Sequence, residues 1–203
     1  MLFIDRLEIK GISAEGLTIN PGDCISLSGA SGMGKSLFMK GIADLLLNRG
    51  RVTLEGRARS EMSAPDWRKR VTYVAAKPSW WEDRVIDHFT DNDWLEAVLP
   101  EFDLPAKALD WTVSRMSSGE SQRLALLRAL EGTEEGEVRY FLLDEPTSAL
   151  DGSRQNRVED VLNRFMKVGQ IGVLFVSHDE RQVERFGQKH WQVYDRRVRE
   201  VAS

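Results

Sequence analysis

Gly29-Ala30-Ser31-Gly32-Met33-Gly34-Lys35-Ser36 is the stretch that decides the fold. It satisfies the pattern GxxxxGK[ST], and the residues before it, Asp23 to Ser28, read as a strand that feeds a glycine-rich turn. A helix is predicted to start near Lys35, so its unpaired N–H groups and the positive end of its dipole face the turn. Gly29, Gly32 and Gly34 allow backbone conformations and an approach distance that a Cβ would forbid. Lys35 would reach the terminal phosphates of a bound nucleotide, and the Ser36 hydroxyl would ligate Mg²⁺. Taken alone, the pattern also fits a glycine-rich turn without a ligand; the segments that follow it decide between the two readings.

With 203 residues the chain has room for one sizeable domain and a small inserted subdomain. The single cysteine, Cys24, excludes a disulfide scaffold and reads as a small buried thiol in a reducing compartment. A net charge of −4 supplies no basic field for nucleic acid or acidic lipid, so nucleic acid is not expected as a partner. The N-terminal Met1 to Gly11 alternates like a strand and lacks the apolar centre of a signal peptide. The longest apolar runs, such as Tyr140-Phe141-Leu142-Leu143, are far too short to cross a bilayer. Any membrane role is therefore expected to come through a partner chain.

Along the chain, residues 2 to 28 read as short strands with a turn at Pro21-Gly22-Asp23. Residues 35 to 48 read as a helix burying Leu37, Phe38, Ile42, Leu45 and Leu46. A strand pair follows over 51 to 59, then a helix start at Ser63-Ala64-Pro65-Asp66 and a strand from Val71 to Ala75. From Pro78 to Arg115 the sequence turns rich in tryptophan (Trp80, Trp81, Trp94, Trp111). It carries amphipathic helical pieces, Val85 to Phe89 and Trp94 to Leu99, broken by Pro100 and Pro105. This is read as a small helical insert. Helix and buried strand then alternate: a helix over Ser118 to Glu131, a strand Arg139 to Leu143, a helix Gly152 to Val168 and a strand Gly172 to Val176. Such alternation predicts an α/β fold with a mostly parallel sheet and ligands at the carboxyl ends of its strands.

Arg139 to Glu145 is an apolar strand ending in two adjacent carboxylates. Beside a phosphate loop, Asp144 would hold Mg²⁺ and Glu145 would act as general base on the attacking water. An isolated Asp-Glu pair is as easily a solvated turn. Here Pro146-Thr147-Ser148-Ala149-Leu150-Asp151 follows, and the next strand ends in Val176-Ser177-His178-Asp179. That topology would bring His178 to the same sheet edge, where it could contact a γ-phosphate and orient the water.

GASGMGKS (29 to 36), MSSGESQR (116 to 123), YFLLDEPTSALD (140 to 151) and FVSHD (175 to 179), in this order, resemble the Walker A, signature, Walker B and switch segments of an ABC transporter's nucleotide-binding subunit. The resemblance covers nearly the whole chain. It implies a P-loop NTPase with a RecA-like, mostly parallel core, a short antiparallel N-terminal β region and a small helical insert. The catalytic core would take 1–77 and 116–203 of one ABC ATPase domain, with the insert at about 78–115. It implies ATP binding and hydrolysis, with Lys35, Glu145 and His178 in the chemistry and Ser36 and Asp144 on Mg²⁺. Gly29, Ala30, Ser31, Gly32, Met33, Gly34, Lys35, Ser36 and Leu37 would hold the nucleotide. Ser117, Ser118, Gly119 and Glu120 would reach it across a dimer of ATPase subunits, identical or not, with Asp151 in the loop joining the two sites. The resemblance further implies an integral membrane permease as partner and a location on the inner face of the cell membrane through that permease. Insert contacts would place Trp80 and Trp81 near it; ordinary packing of the insert explains these tryptophans equally well. Ser117 to Glu120 also fits an S-x-x-E capping box, and the two readings are compatible.

Three departures from the family pattern stand out. Ala75-Ala76-Lys77-Pro78 replaces the segment with a metal-ligating glutamine: Ala76 cannot ligate, and Lys77 is expected to point to solvent. Ser118 stands where the family has a glycine. No aromatic residue occupies the place that stacks adenine, leaving Phe3 and Ile12 as candidates. Two other readings compete with transport: a soluble ABC-type ATPase acting as an assembly or clamp factor, and a nucleotide-binding module without turnover. Retention of Lys35, Ser36, Asp144, Glu145 and His178 argues against the last.

Overall fold

A computed structural model describes residues 1–133 and 136–201; Glu134, Glu135, Ala202 and Ser203, within the expected 116–203 portion, lie outside the described residues. The chain opens with β1 (Leu2–Ile9), β2 (Ile12–Ile19) and β3 (Cys24–Ser28), then α1 (Lys35–Ile42), β4 (Arg49–Leu54), β5 (Arg57–Ala58), α2 (Ala64–Arg70) and β6 (Val71–Val74). Next come α3 (Asn92–Val98), α4 (Ser118–Leu130), β7 (Arg139–Asp144), α5 (Gly152–Lys167), β8 (Ile171–Val176), α6 (Glu180–Phe186), β9 (Lys189–Tyr194) and β10 (Arg197–Val201). The strands form one ten-stranded sheet in the order β5-β4-β1-β2-β10-β9-β3-β8-β7-β6. From β9 to β6 all pairings are parallel, whereas β5, β4, β1 and β2 pair antiparallel.

Among the parallel strands, β7 from Tyr140 to Leu143 and β8 are continuous buried runs because both faces are covered. On β7, Tyr140 and Leu142 join a cluster with α1, β1 and Trp67, while Phe141 and Leu143 join a second with α4, α5 and the segment between β6 and α4. The antiparallel hairpin alternates instead, with Leu2, Ile4, Leu7 and Ile9 buried. Its strands, expected to be short, run for eight residues each, because the alternation persists on both sides of the Lys10-Gly11 turn.

Helix α1 is shorter than the 35 to 48 expected, and Leu45 is exposed rather than buried. Asp44 turns left-handed (φ 57°), and side chains bond the carbonyls on either side of it. Asn48 donates to the Leu46 carbonyl at 2.7 Å, and Arg59 donates to the Gly41 carbonyl at 2.9 Å. The strand expected at 51 therefore begins at Arg49. Helix α2 begins as expected, with Ser63 accepting from the Asp66 N–H at 3.2 Å.

Between β6 and α4 the helical content is mostly 3-10. Val85 to Phe89, expected to be an amphipathic helical piece, holds only a three-residue 3-10 turn, Ile86–His88, because the His88 ring serves the backbone around it. Its Nε2 accepts from the Trp81 and Glu82 N–H groups, each at 3.0 Å, and its Nδ1 lies 3.0 Å from the Arg84 carbonyl. The segment is tied to the core by arginines. Arg123 of α4 donates to the Phe102 and Asp103 carbonyls at 2.7 Å, Arg154 of α5 to Asp103 Oδ2 at 2.8 Å, and Arg164 pairs with Glu101.

Candidate functional site

Strand β3 delivers the glycine-rich loop. A Cβ on Gly29 would meet the Val193 carbonyl at 2.8 Å, one on Gly34 would meet Ile12 Cδ1 at 2.0 Å, and the positive φ of both (143° and 93°) disfavours any side chain. The second contact separates the two candidates for the base: Ile12 packs on the loop, while Phe3 sits within β1 opposite Thr18 and Thr53. Helix α1 starts at Gly34 with no side-chain cap and no acidic residue in its first turn, so its leading N–H groups are left for a ligand. Lys35 folds back on the loop, donating from Nζ to the Gly29 carbonyl at 2.7 Å and to that of Ala30 at 3.3 Å.

His190, on β9, had no role in the sequence reading. Register places it beside Ser26, and its ring spans two hydroxyls of β3: Nδ1 lies 2.6 Å from Ser26 Oγ and Nε2 2.8 Å from Ser28 Oγ. It lines, with Ser28, Gly29, Lys35, Ser177 and His178, a cavity of about 400 Å³. Two residues expected to meet the terminal phosphate, Lys35 and His178, thus share one hollow.

The acid pair lies at the carboxyl end of β7. Asp144 is buried, and Tyr73 of β6 donates its hydroxyl to Asp144 Oδ2 at 2.7 Å. Burial, and then this carboxylate, push the phenol well above its ordinary range, so the hydroxyl remains a donor. Glu145 adopts a left-handed conformation (φ 50°), a strained state for a residue with a Cβ, while its N–H donates to the Val176 carbonyl at 3.1 Å. Its Oε1 lies 3.0 Å from His178 Nε2. Gln122, buried on α4, ties three segments together. Its Nε2 donates to the Ala76 carbonyl at 3.1 Å, the Glu145 carbonyl at 3.3 Å and Ser148 Oγ at 3.0 Å, and its Oε1 accepts from the Ala149 N–H at 3.1 Å.

Beyond the acid pair, Thr147 accepts from Gln182 Nε2 at 3.0 Å, and the same amide donates to Glu159 at 3.0 Å. Arg185 closes the network on Glu159 with bonds of 2.8 and 2.7 Å. The loop after Glu145, helix α5 and the helix after His178 are therefore bonded to one another.

The signature segment is placed differently. Ser117 caps α4, accepting from the Glu120 N–H at 3.3 Å, while Glu120 Oε2 accepts from the Ser117 N–H at 2.8 Å. Partial burial raises the Glu120 pKa, but the Ser117 donors and the nearby Arg115 and Arg123 outweigh it and hold the carboxyl below its usual value. Ser117 and Ser118 are exposed, and Gly119 packs so closely on the Ala149 carbonyl that a Cβ there would lie 3.0 Å away. None of these residues lines the hollow shared by Lys35 and His178. Asp151 caps α5 through the Arg154 N–H at 3.0 Å, and Lys77 is exposed.

The family model described as ABC transporter matches residues 13–148. The chain belongs to the ABC transporter family. It is an ATP-binding domain of that family and an ATPase. It is 30% identical over 177 residues to the probable iron export ATP-binding protein FetA of Escherichia coli (strain K12), covering 82% of this chain and 77% of that one. It is 33% identical over 184 residues to the aliphatic sulfonates import ATP-binding protein SsuB 2 of Mesorhizobium japonicum, covering 87% and 67%. A solved dimeric ATP-binding cassette in a post-hydrolysis state, bound to ADP and Pi, shares the fold with a TM-score of 0.77 at 21% identity, over 99% of this chain and 98% of that one. The ABC ATPase fold is thus the observed one. No helix among the described residues is long and apolar enough to cross a membrane.

Proposed function

We propose that this ABC ATPase energises substrate transport through a separate membrane permease, by ATP-driven closure of two ATPase subunits. The observation that carries the chemistry is the Glu145–His178 contact of 3.0 Å, with His178 also walling the hollow that holds Lys35. In this reading the loop N–H groups and Lys35 bind the β- and γ-phosphates. Glu145 takes the proton from water as its oxygen attacks the γ-phosphorus, the bond to the β–γ bridging oxygen breaks with its electron pair leaving on ADP, and His178 holds the γ-phosphate and Glu145 in register. The Ser36 hydroxyl and the buried Asp144 carboxylate are hard oxygen donors suited to Mg²⁺, which keeps most of its shell as water and phosphate oxygens. When bound, that ion would neutralise charge developing on the phosphates. Ser117, Ser118 and Gly119 serve the nucleotide of the opposite subunit, and Asp151 lies in the joining loop; the exposure of Ser117, Ser118 and Asp151, away from the chain's own phosphate hollow, supports this assignment.

The division into a core (1–77 and 116–203) and an insert (about 78–115) is supported by the change to short 3-10 turns between β6 and α4. A groove of about 380 Å³ between the two, walled by Arg68, Thr72, Trp81, Ala125, Arg128 and Arg139, is the place for the permease. Trp81 is 67% exposed there, with the Arg128 guanidinium 4.7 Å from its ring, whereas Trp80 is half-buried and donates to Ser121 at 2.8 Å. Anchoring in this groove would hold the subunit on the inner face of the cell membrane. Copurification of the tagged chain from gently solubilised native membranes tests the proposal. A polytopic membrane protein is expected, and exclusively soluble partners would favour an assembly factor instead. A Glu145→Gln variant is expected to lose at least a hundredfold in turnover and to accumulate ATP-bound dimers; turnover equal to wild type would remove Glu145 from the role of base.

A further inference from the structure

Strand β6 is the outermost strand at its end of the sheet and pairs with β7 in parallel, Tyr73 beside Leu142. This register lets a tyrosine reach along its neighbour to that strand's last residue. Its hydroxyl meets Asp144 Oδ2 at 2.7 Å, and no other side-chain hydrogen bond to Asp144 occurs among the described residues. The ring is held from two sides: it packs on the cluster containing Val71 and Leu142, and Lys40 Nζ, on the helix that begins in the phosphate loop, stands 5.4 Å from its centroid. Two residues beyond β6, Ala76 offers only its backbone, and its carbonyl is taken by Gln122 at 3.1 Å. The chain therefore has no side-chain oxygen at position 76 to share the metal, and the burden of fixing the metal-side carboxylate falls on what touches Asp144 itself.

We propose that Tyr73 is the positioning residue for Asp144, occupying Oδ2 so that Oδ1 alone is presented to Mg²⁺. The inference rests on the reading of Asp144 as a metal ligand. A carboxylate with both oxygens unbonded can rotate or chelate through both, and a donor on one oxygen removes those alternatives. Partners of this kind, bonded to a ligand rather than to the metal, typically change metal affinity by about 10- to 100-fold. The placement also gives β6 a second task. Thr72, Tyr73, Val74 and Ala75 contribute to the wall of the groove assigned to the permease, so the strand that would bear a docked partner is the strand that aims Asp144.

Tyr73→Phe keeps the ring and removes only the hydroxyl. The test is a Mn²⁺ titration of the full chain loaded with a non-hydrolysable ATP analogue, with free Mn²⁺ read by electron paramagnetic resonance. Nucleotide affinity in EDTA is measured in parallel and reports that the loop is still folded. The expected result is an approximately tenfold weaker Mn²⁺ affinity for Tyr73→Phe with unchanged affinity in EDTA, and a larger loss for Asp144→Asn. Wild-type Mn²⁺ affinity in Tyr73→Phe, alongside a loss in Asp144→Asn, would overturn the role of Tyr73 alone. Wild-type affinity in Asp144→Asn would overturn the metal site itself. A loss of EDTA affinity in Tyr73→Phe would show that the tyrosine supports the loop rather than the carboxylate, which also overturns the proposal.

Discussion

Helices α1 and α4 both start at glycine-containing segments, and they start in opposite ways. Helix α1 has Gly34 at its N-cap, no side-chain cap and no acidic residue in its first turn. Helix α4 has both members of a capping box, Ser117 and Glu120, bonded to each other's backbone. The first leaves its donors and the positive end of its dipole to a phosphate from outside; the second already holds a carboxylate of its own. The same local physics thus yields a binding loop in one place and a finished structural cap in the other. The difference teaches that the two segments do not take equivalent parts in holding one nucleotide within a single chain.

The comparison can be broken most directly at α1. Lys35→Ala removes a charged donor to phosphate and should weaken ATP binding by about 1.5–3 kcal/mol, or roughly 10- to 150-fold, in a fluorescent-nucleotide titration. Ser117→Ala should cost about 1 kcal/mol of stability in urea unfolding while leaving nucleotide affinity of the isolated subunit unchanged. A fall in that affinity would mean that the signature segment serves its own chain's nucleotide. Ser118→Gly opens closer approach at the exposed start of α4 and should tighten ATP-driven dimerisation of Glu145→Gln subunits several-fold, about 1 kcal/mol, in analytical ultracentrifugation. An unchanged or weaker dimer would show that the Ser118 hydroxyl helps the contact.

The smallest effect concerns pH. Because the folded Glu120 carboxyl is held below its ordinary value of 4.5, its contribution to stability is present above that value. It is lost as pH falls through the lower folded value. The stability gap between wild type and Glu120→Ala should therefore be full at pH 7 and close below about pH 4.5 in urea melts; a gap independent of pH would assign it to packing.

The parts of the molecule that were legible in the sequence are those whose signal is local. Strands β7 and β8 are apolar runs bounded by turn residues, and Lys35, Asp144, Glu145 and His178 sit in segments whose spacing carries their meaning. The helix expected over 35 to 48 overshoots α1 because Leu45 and Leu46 continue the helical period, while Asn48 and Arg59, which bond the Gly41 carbonyl at the end of α1, act from outside that helix. The hairpin of β9 and β10 and helix α6, elements of only six, five and seven residues, have no counterpart in the sequence analysis. Tyr73 and His190 became site residues only through the registers of β6 on β7 and β9 on β3, which no linear spacing encodes. Gln122 lay inside the quoted signature stretch, but its contacts with Ala76, Glu145 and Ala149 arise from tertiary packing.

The strand order has a consequence for how the protein is made. Apart from β9 and β10, the sheet consists of two pieces, β5-β4-β1-β2 and β3-β8-β7-β6, which share no strand pairing. The bridge is supplied by residues 189 to 201, through β10 on β2 and β9 on β3. During synthesis the phosphate loop therefore emerges well before its neighbour His190 and the Val193 backbone that lies against Gly29. A nascent chain stalled before Lys189 would carry every sequence motif of the ATPase and still present two unjoined half-sheets.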